Sequence, residues 1–137
     1  MARELDNPRP TADWETRGYW EGAGRGELVL QRCRACGTVQ HRPRALCVTC
    51  LKDEVEHFVA SGRGTVYTFT VTEQNQVPPF RDALPYVLAY VELEEGPRLL
   101  TNVVGCAPDQ VRIGMPVRAE FRTSPNDDLG VPVFRPA

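Results

Sequence analysis

Five cysteines occur in the 137 residues, and four of them form two C-x-x-C pairs, Cys33-Arg34-Ala35-Cys36 and Cys47-Val48-Thr49-Cys50, separated by ten residues. A C-x-x-C turn presents two thiolates on one side of a tight loop, and tetrahedral zinc takes four such sulfurs at about 2.3 Å. Gly37 follows the first pair, where a residue of positive φ lets backbone amides turn toward sulfur. Two disulfides or a redox pair would use the same residues. Two pairs rather than one, and no surrounding βαβ pattern, speak against both. Iron takes the same ligand set, and the spacing does not separate it from zinc. Four thiolates leave no open coordination position, so Cys33, Cys36, Cys47 and Cys50 are read as a structural metal site, with zinc the favoured ion. Cys106 has no adjacent histidine and reads as a small buried apolar residue.

No other constellation carries chemistry of its own. His41 and His57 have no serine or carboxylate at triad spacing, and the pairs Glu94-Glu95 and Asp127-Asp128 fall in turn-like segments. No catalytic residue is assigned. Between Glu27 and Asp53 there is no acid, while Arg32, Arg34, Arg42, Arg44 and Lys52 all lie there. That patch suits a phosphate-bearing ligand or an acidic partner, and it equally suits simple compensation of thiolate charge. Gly22, Gly24 and Gly26 precede a strand rather than a helix, so the run reads as a flexible turn and not a phosphate loop.

The elements that must position these residues are short. Twelve prolines and eleven glycines favour β structure broken by turns. Thr11 is a candidate N-cap for a helix beginning at Ala12, with Asp13 and Glu15 in its first turn. Trp14, Tyr19 and Trp20 exceed what so small a helix can bury, and are expected to pack on another module or on a partner. Short strands are expected over 27–31 and 38–41. Beyond residue 61, period-two alternation and β-branched residues predict strands over 64–72, 86–93, 98–104, 116–122 and 131–135, the last placed at a sheet edge by Pro132. Glu94-Glu95-Gly96-Pro97 reads as a hairpin turn, and residues 109–114 as a turn or short helix. Five strands in this compass suggest a small closed barrel of the OB type, with an SH3-like barrel or a small sandwich as alternatives. The expected organisation is a mainly β chain: a helical segment over 1–26, a cysteine ribbon over 27–60 and a barrel over 61–137. The 73–84 connection is long enough to touch a ligand or partner.

Bulk properties limit the function classes. The formal net charge is −2, and residues 61–137 hold seven arginines and no lysine against nine acids. A single-strand groove needs a positive track, so a nucleic-acid-binding ribbon/barrel module is the alternative reading and no nucleic-acid partner is expected. The N-terminus lacks an apolar stretch of signal type, and no run nears the roughly 18 apolar residues of a membrane helix. A cytoplasmic protein without a membrane partner is expected.

Tyr19-Trp20, the 26–33 stretch ending at Cys33, Pro43-Arg44 before Cys47 and Cys50, the 61–70 stretch, Pro85-Tyr86-Val87, residues 91–96, Gly114 to Val117 and Pro132 to Pro136 occur in one order. Together they resemble a family of small acyl-CoA-associated proteins in which a rubredoxin-like zinc ribbon precedes an OB fold. The resemblance covers nearly the whole chain. It implies a structural zinc ion and a non-catalytic accessory subunit that supports acyl-CoA binding and assembly of a thiolase-superfamily enzyme. The partner would be a thiolase or a lipid-transfer-protein-type aldolase, in some relatives one that cleaves steroid side chains. Hotdog-fold enoyl-CoA hydratases also partner some relatives. On that basis Arg42, Arg44 and Arg63 are expected to face CoA, and Trp14, Tyr19, Trp20 and Phe80 to face the partner in a hetero-oligomer.

Overall fold

The computed structural model describes residues 5–123 and 126–137. Strand β5 (Tyr86–Leu93) sets the pattern for the larger half of the molecule. Val87, Ala89, Val91 and Leu93 point inward and are buried, while Leu88 and Tyr90 face outward. Opposite lies β6 (Arg98–Val103), joined by the expected hairpin: the Gly96 amide donates to the Leu93 carbonyl, and Gly96 takes φ 115°. On its other side β5 pairs with β4 (Arg63–Thr72), and β7 (Pro116–Thr123) and β8 (Gly130–Pro136) complete a closed barrel in the order β4-β5-β6-β8-β7. All contacts are antiparallel except β6 with β8, which is parallel. The mainly β architecture with a five-stranded barrel agrees with the sequence expectation. The core holds Val66, Val87, Val91, Leu99, Val117 and Phe134, each side chain of this size contributing about 1.5–3 kcal/mol on burial.

Two details of the barrel depart from the simple pattern. Alternation over 64–72 breaks at a bulge: Val66 pairs with Val91 and Thr68 with Tyr90, so Tyr67 is the extra residue. The bulge switches parity, with Val66 inward before it and Phe69 and Val71 packed on the core after it. It also turns the Tyr67 ring outward under the Arg98 guanidinium, 3.7 Å from the ring centroid. Pro132 is not at an edge, because β8 is enclosed between β6 and β7. The β6–β8 seam is thin, holding one Cα pair, Val103 with Phe134, and the Thr101 hydroxyl donates to the Pro132 carbonyl across it at 3.2 Å. A strand lacking one N–H is tolerated at such a seam.

The smaller sheet has the order β2-β1-β3, formed by β1 (Val29–Cys33), β2 (Val39–Gln40) and β3 (Val55–Val59). The first two match the expected strands. Sequence reasoning missed β3, because most of its side chains are exposed and it carries no apolar alternation.

The helix lies later than Thr11 and Ala12 suggested: α1 spans Arg17–Gly24. Asp13 instead builds a turn, its Oδ1 accepting from the Thr16 amide and the Thr16 hydroxyl, both at 2.9 Å. These bonds from Thr16 hold the Asp13 carboxyl below its ordinary range. Gly22 and Gly24 are helical rather than a flexible turn. A Cβ on Gly22 would collide with the Val29 side chain, and one on Gly24 with the Asp128 carbonyl. Close approach, not mobility, is what these glycines provide. The helix touches β1, β7 and β8, and Tyr19, Leu28 and Leu30 share one continuous core with the barrel.

Candidate metal centre

Cys33 ends β1, and the chain then turns so that Gly37 donates its amide to the Cys33 carbonyl at 2.9 Å while Cys33 donates to Thr38 at 2.8 Å. The second knuckle repeats the pattern: Leu51 donates to Cys47 at 3.0 Å, and Cys47 to Lys52 at 3.1 Å. Gly37 has φ 81°, as the sequence requires, and Leu51 reaches φ 64° in the equivalent position. The knuckle fold therefore imposes left-handed backbone on a leucine, at about 1–2 kcal/mol.

All four Sγ atoms lie within 4.8 Å of one another, with Cys33–Cys50 at 3.6 Å and Cys36–Cys47 at 3.5 Å. A tetrahedron with 2.3 Å metal–sulfur bonds has sulfur–sulfur edges of about 3.8 Å, so the donor set fits zinc. The electrostatics agree. The Thr38 hydroxyl lowers the Cys36 thiol, and amides of Cys50 and Thr49 bring Cys47 to about 6. At Cys50 an amide hydrogen bond from Lys52 is outweighed by burial and the neighbouring thiols, which push it up to about 11. A divalent cation resolves that competition by neutralising the sulfurs together. Cys33, Cys36, Cys47 and Cys50 would hold the ion, and its contribution is to fix the two knuckles.

Two buried glutamines that the sequence reading passed over brace this centre. Gln40 donates to Gln31 Oε1 at 2.8 Å and to the Leu46 carbonyl at 3.2 Å, and accepts from the Val48 amide at 3.0 Å. Gln31 accepts from the Arg44 amide and donates to the Arg44 carbonyl, each at 2.9 Å. The loop carrying the second C-x-x-C is thus tied to β1 and β2 by side chains. The available signal was two glutamines at strand positions with apolar neighbours.

The remaining expected site residues separate into groups. Arg34 pairs with Glu54 at 3.3 Å, and Arg32 stacks on the Phe58 ring at 4.1 Å, so both serve the ribbon itself. Arg42 and Arg44 are exposed, and neither makes an ion pair among the described residues. Arg63 pairs with Glu94 at 3.3 Å and lines a different cavity, so the three arginines do not converge. Trp14 is 77% exposed. Tyr19 is 5% exposed and packed in the chain's own core, which corrects the expectation that it faces a partner. Trp20 and Phe80 line a cavity of about 510 Å³ with Arg9, Arg42, Tyr86 and Leu88. Phe80 meets Tyr86 there at 5.8 Å, through the 3₁₀ turn Phe80–Asp82. Outward from the barrel, Leu88, Tyr90 and Leu100 form an exposed apolar stripe, Tyr90 directly opposite Leu100, with Tyr67 on the neighbouring strand. That stripe was also missed; its signal is an apolar run in β5 on both faces, a pattern of strands covered on both sides. No helix among the described residues is long and apolar enough to cross a membrane.

Ribbon and barrel together define a zinc-ribbon/OB-fold protein. Residues 20–56 match the family described as "ChsH2, rubredoxin-like zinc ribbon domain", and residues 59–122 the family described as "ChsH2, C-terminal OB-fold domain". A "DUF35 domain-containing scaffold protein" of Methanocaldococcus jannaschii is 44% identical over 108 residues, covering 76% of this chain and 74% of its own. The chain belongs to this ChsH2/DUF35 family. A "Probable enoyl-CoA hydratase alpha subunit" of Thermomonospora curvata is 42% identical over 95% of this chain, which spans 40% of that protein's length. The solved "Ltp2-ChsH2(DUF35) aldolase" contains a chain similar to this one with TM-score 0.82 and 41% identity, covering 93% of this chain and 98% of that one.

Proposed function

We propose that this chain is a non-catalytic accessory subunit that supports acyl-CoA binding and assembly of a thiolase-superfamily enzyme. The enzyme would be a thiolase or a retro-aldolase, with steroid side-chain degradation as one setting, acting in the cytoplasm. The observation that carries the reading is the likeness, over nearly the full length of both chains, to a chain of the solved "Ltp2-ChsH2(DUF35) aldolase". Two features of the molecule support it. Its one cluster of metal-ligating side chains among the described residues is a closed four-thiolate set, which has no position for substrate. The outward stripe of Leu88, Tyr90 and Leu100 is apolar and aromatic, the composition of an interface centre.

Within this reading, residues 1–26, 27–60 and 61–137 act as helical segment, zinc ribbon and barrel. The ribbon holds the 41–48 loop, and Arg44 on it meets the phosphates of CoA, for which a guanidinium fork is well shaped. Trp14, Trp20 and Phe80 contribute to the partner face. The test is co-expression with a thiolase-fold or lipid-transfer-type protein of the same organism. A stable heteromeric complex whose acyl-CoA turnover needs this chain is expected. A lone monomer next to a fully active partner refutes the proposal.

A further inference from the structure

A second, smaller cavity, of about 200 Å³, lies between α1, the 41–43 loop and the outer side of β6, lined by Trp20, His41, Arg42 and Leu100 among others. Two of the residues on its wall carry a polar atom that is buried without a partner: Trp20 Nε1 and His41 Nδ1. An indole N–H can only donate, and leaving it unpaired costs about 1–3 kcal/mol. Arg42, on the same wall, makes no ion pair among the described residues. Thr16 Oγ1, also on the wall, is already engaged with Asp13. His41 is half-buried with its Nδ1 enclosed, and desolvation carries it down to about 4, so the imidazole adds no charge near neutrality. Trp20, with its unpartnered N–H donor, and Arg42, whose charge within the chain is felt by the Asp13 carboxylate but which forms no ion pair among the described residues, thus line one small space that suits an anionic acceptor.

The size and rim of the space decide which acceptor. Its volume is below the roughly 300 Å³ at which small-molecule sites begin, which suits a side chain; the larger 510 Å³ cavity shares Trp20 and Arg42 but not His41 or Leu100. Leu100 forms part of the rim, and Leu100 is the cross-strand partner of Tyr90 in the exposed apolar stripe. The opening therefore belongs to the face already read as a protein interface. Resting on the accessory-subunit reading, we infer that this cavity is a socket for a carboxylate side chain, aspartate or glutamate, of the partner enzyme, held by Trp20 Nε1–H and the Arg42 guanidinium. Arg42 is then a partner contact and not a CoA contact.

The two tryptophans make the socket visible. In ¹⁵N spectra of the zinc-loaded chain, sodium acetate at constant ionic strength should shift the Trp20 indole resonance saturably while exposed Trp14 stays fixed. Arg42→Gln, a surface change that leaves the fold intact, should abolish the shift. Equal movement of both indoles, no saturation, or a Trp20 response to phosphate or CoA but not to acetate each overturns the inference. In the complex with the co-expressed partner, Arg42→Glu should weaken association roughly tenfold or more relative to Arg118→Glu, which makes the same charge change on β7. Equal effects of the two variants also overturn it. Failure to form any complex counts against the accessory-subunit reading, and the acetate titration, done on the chain alone, still judges the socket.

Discussion

Replacing Gln40 with leucine is expected to loosen the metal centre without touching a ligand. Gln40 is 5% exposed and makes three hydrogen bonds, to Gln31 Oε1, the Leu46 carbonyl and the Val48 amide. Leucine has nearly the same volume, so no cavity opens and the effect is polar. Gln31 Oε1 keeps its bond from the Arg44 amide. The Val48 amide and Leu46 carbonyl lose theirs, and an unmade buried bond costs about 1–3 kcal/mol. Allowing that the Leu46 carbonyl finds water more readily, the total is about 2–4 kcal/mol. Because knuckle closure and metal binding are coupled, this appears as zinc affinity reduced roughly 30- to 700-fold, or as lower stability of the closed ribbon. Competition with a chromophoric chelator reads the first, and thermal unfolding with and without zinc reads the second. If both match the native protein within about 0.5 kcal/mol, the glutamine brace is not what holds the second knuckle.

Cys36→Ser should remove stoichiometric zinc, measured by elemental analysis of the purified chain, and abolish association with the partner; full retention of one zinc contradicts the four-thiolate assignment. Leu51→Gly should be neutral or raise stability by up to about 1 kcal/mol, because Leu51 is exposed at φ 64°, whereas Leu51→Val should destabilise; chemical denaturation reads both. Gly24→Ala should cost more than about 2 kcal/mol in the same assay, since its Cβ meets backbone that cannot yield. His41 titrates near 6.5 when unfolded and is depressed to about 4 when folded, so its contribution is complete above 6.5 and lost as pH falls toward 4. From pH 7.5 to 6.0 the native protein should lose roughly 1 kcal/mol more stability than His41→Phe, and parallel pH profiles would contradict the desolvated neutral imidazole.

Ligand chemistry was the most legible part of this chain. Cysteine spacing determines a four-thiolate cluster with little help from context, because each C-x-x-C turn is local and only their meeting is tertiary. Barrel strands were legible for a related reason, since β-branched alternation is local. What escaped was decided by long-range contact. Nothing near Gly22 and Gly24 signals that Val29 and Asp128 will press on them, so a run of glycines read as a flexible turn. The start of the helix depended on whether Asp13 capped Thr16 or entered the first turn, two local options that nearby residues alone leave close in energy. Tyr19 and Trp20 are adjacent and alike in type, yet Tyr19 is a core residue that also touches the smaller cavity, while Trp20 is only partly buried and reaches both cavities; helical geometry, not residue type, separates them.

The shared core gives the metal a reach beyond its own knuckles. Leu28 and Leu30 belong to the segment that leads through β1 into Cys33, and with Tyr19 they pack in the same cluster as Val66, Val91 and Phe134 of the barrel. On the far side of that packing, Trp20 stands edge-on to Tyr19 at 4.8 Å, and the His41 ring lies 5.0 Å from Tyr19. Tyr19 therefore couples the loop held by Gln31 and Gln40 to the wall of the socket. Loss of metal should free the 41–48 loop, and with it His41, Arg42 and the geometry that faces Leu100. In the proposed complex, a structural ion placed this way would control partner binding by holding one loop against one aromatic side chain, with no metal-bound group at the interface. Tyr19→Leu, which keeps the four cysteines and removes the ring both neighbours lean on, should then leave zinc content at one per chain while weakening partner association. A variant that binds zinc and partner both as the native protein does would break that link.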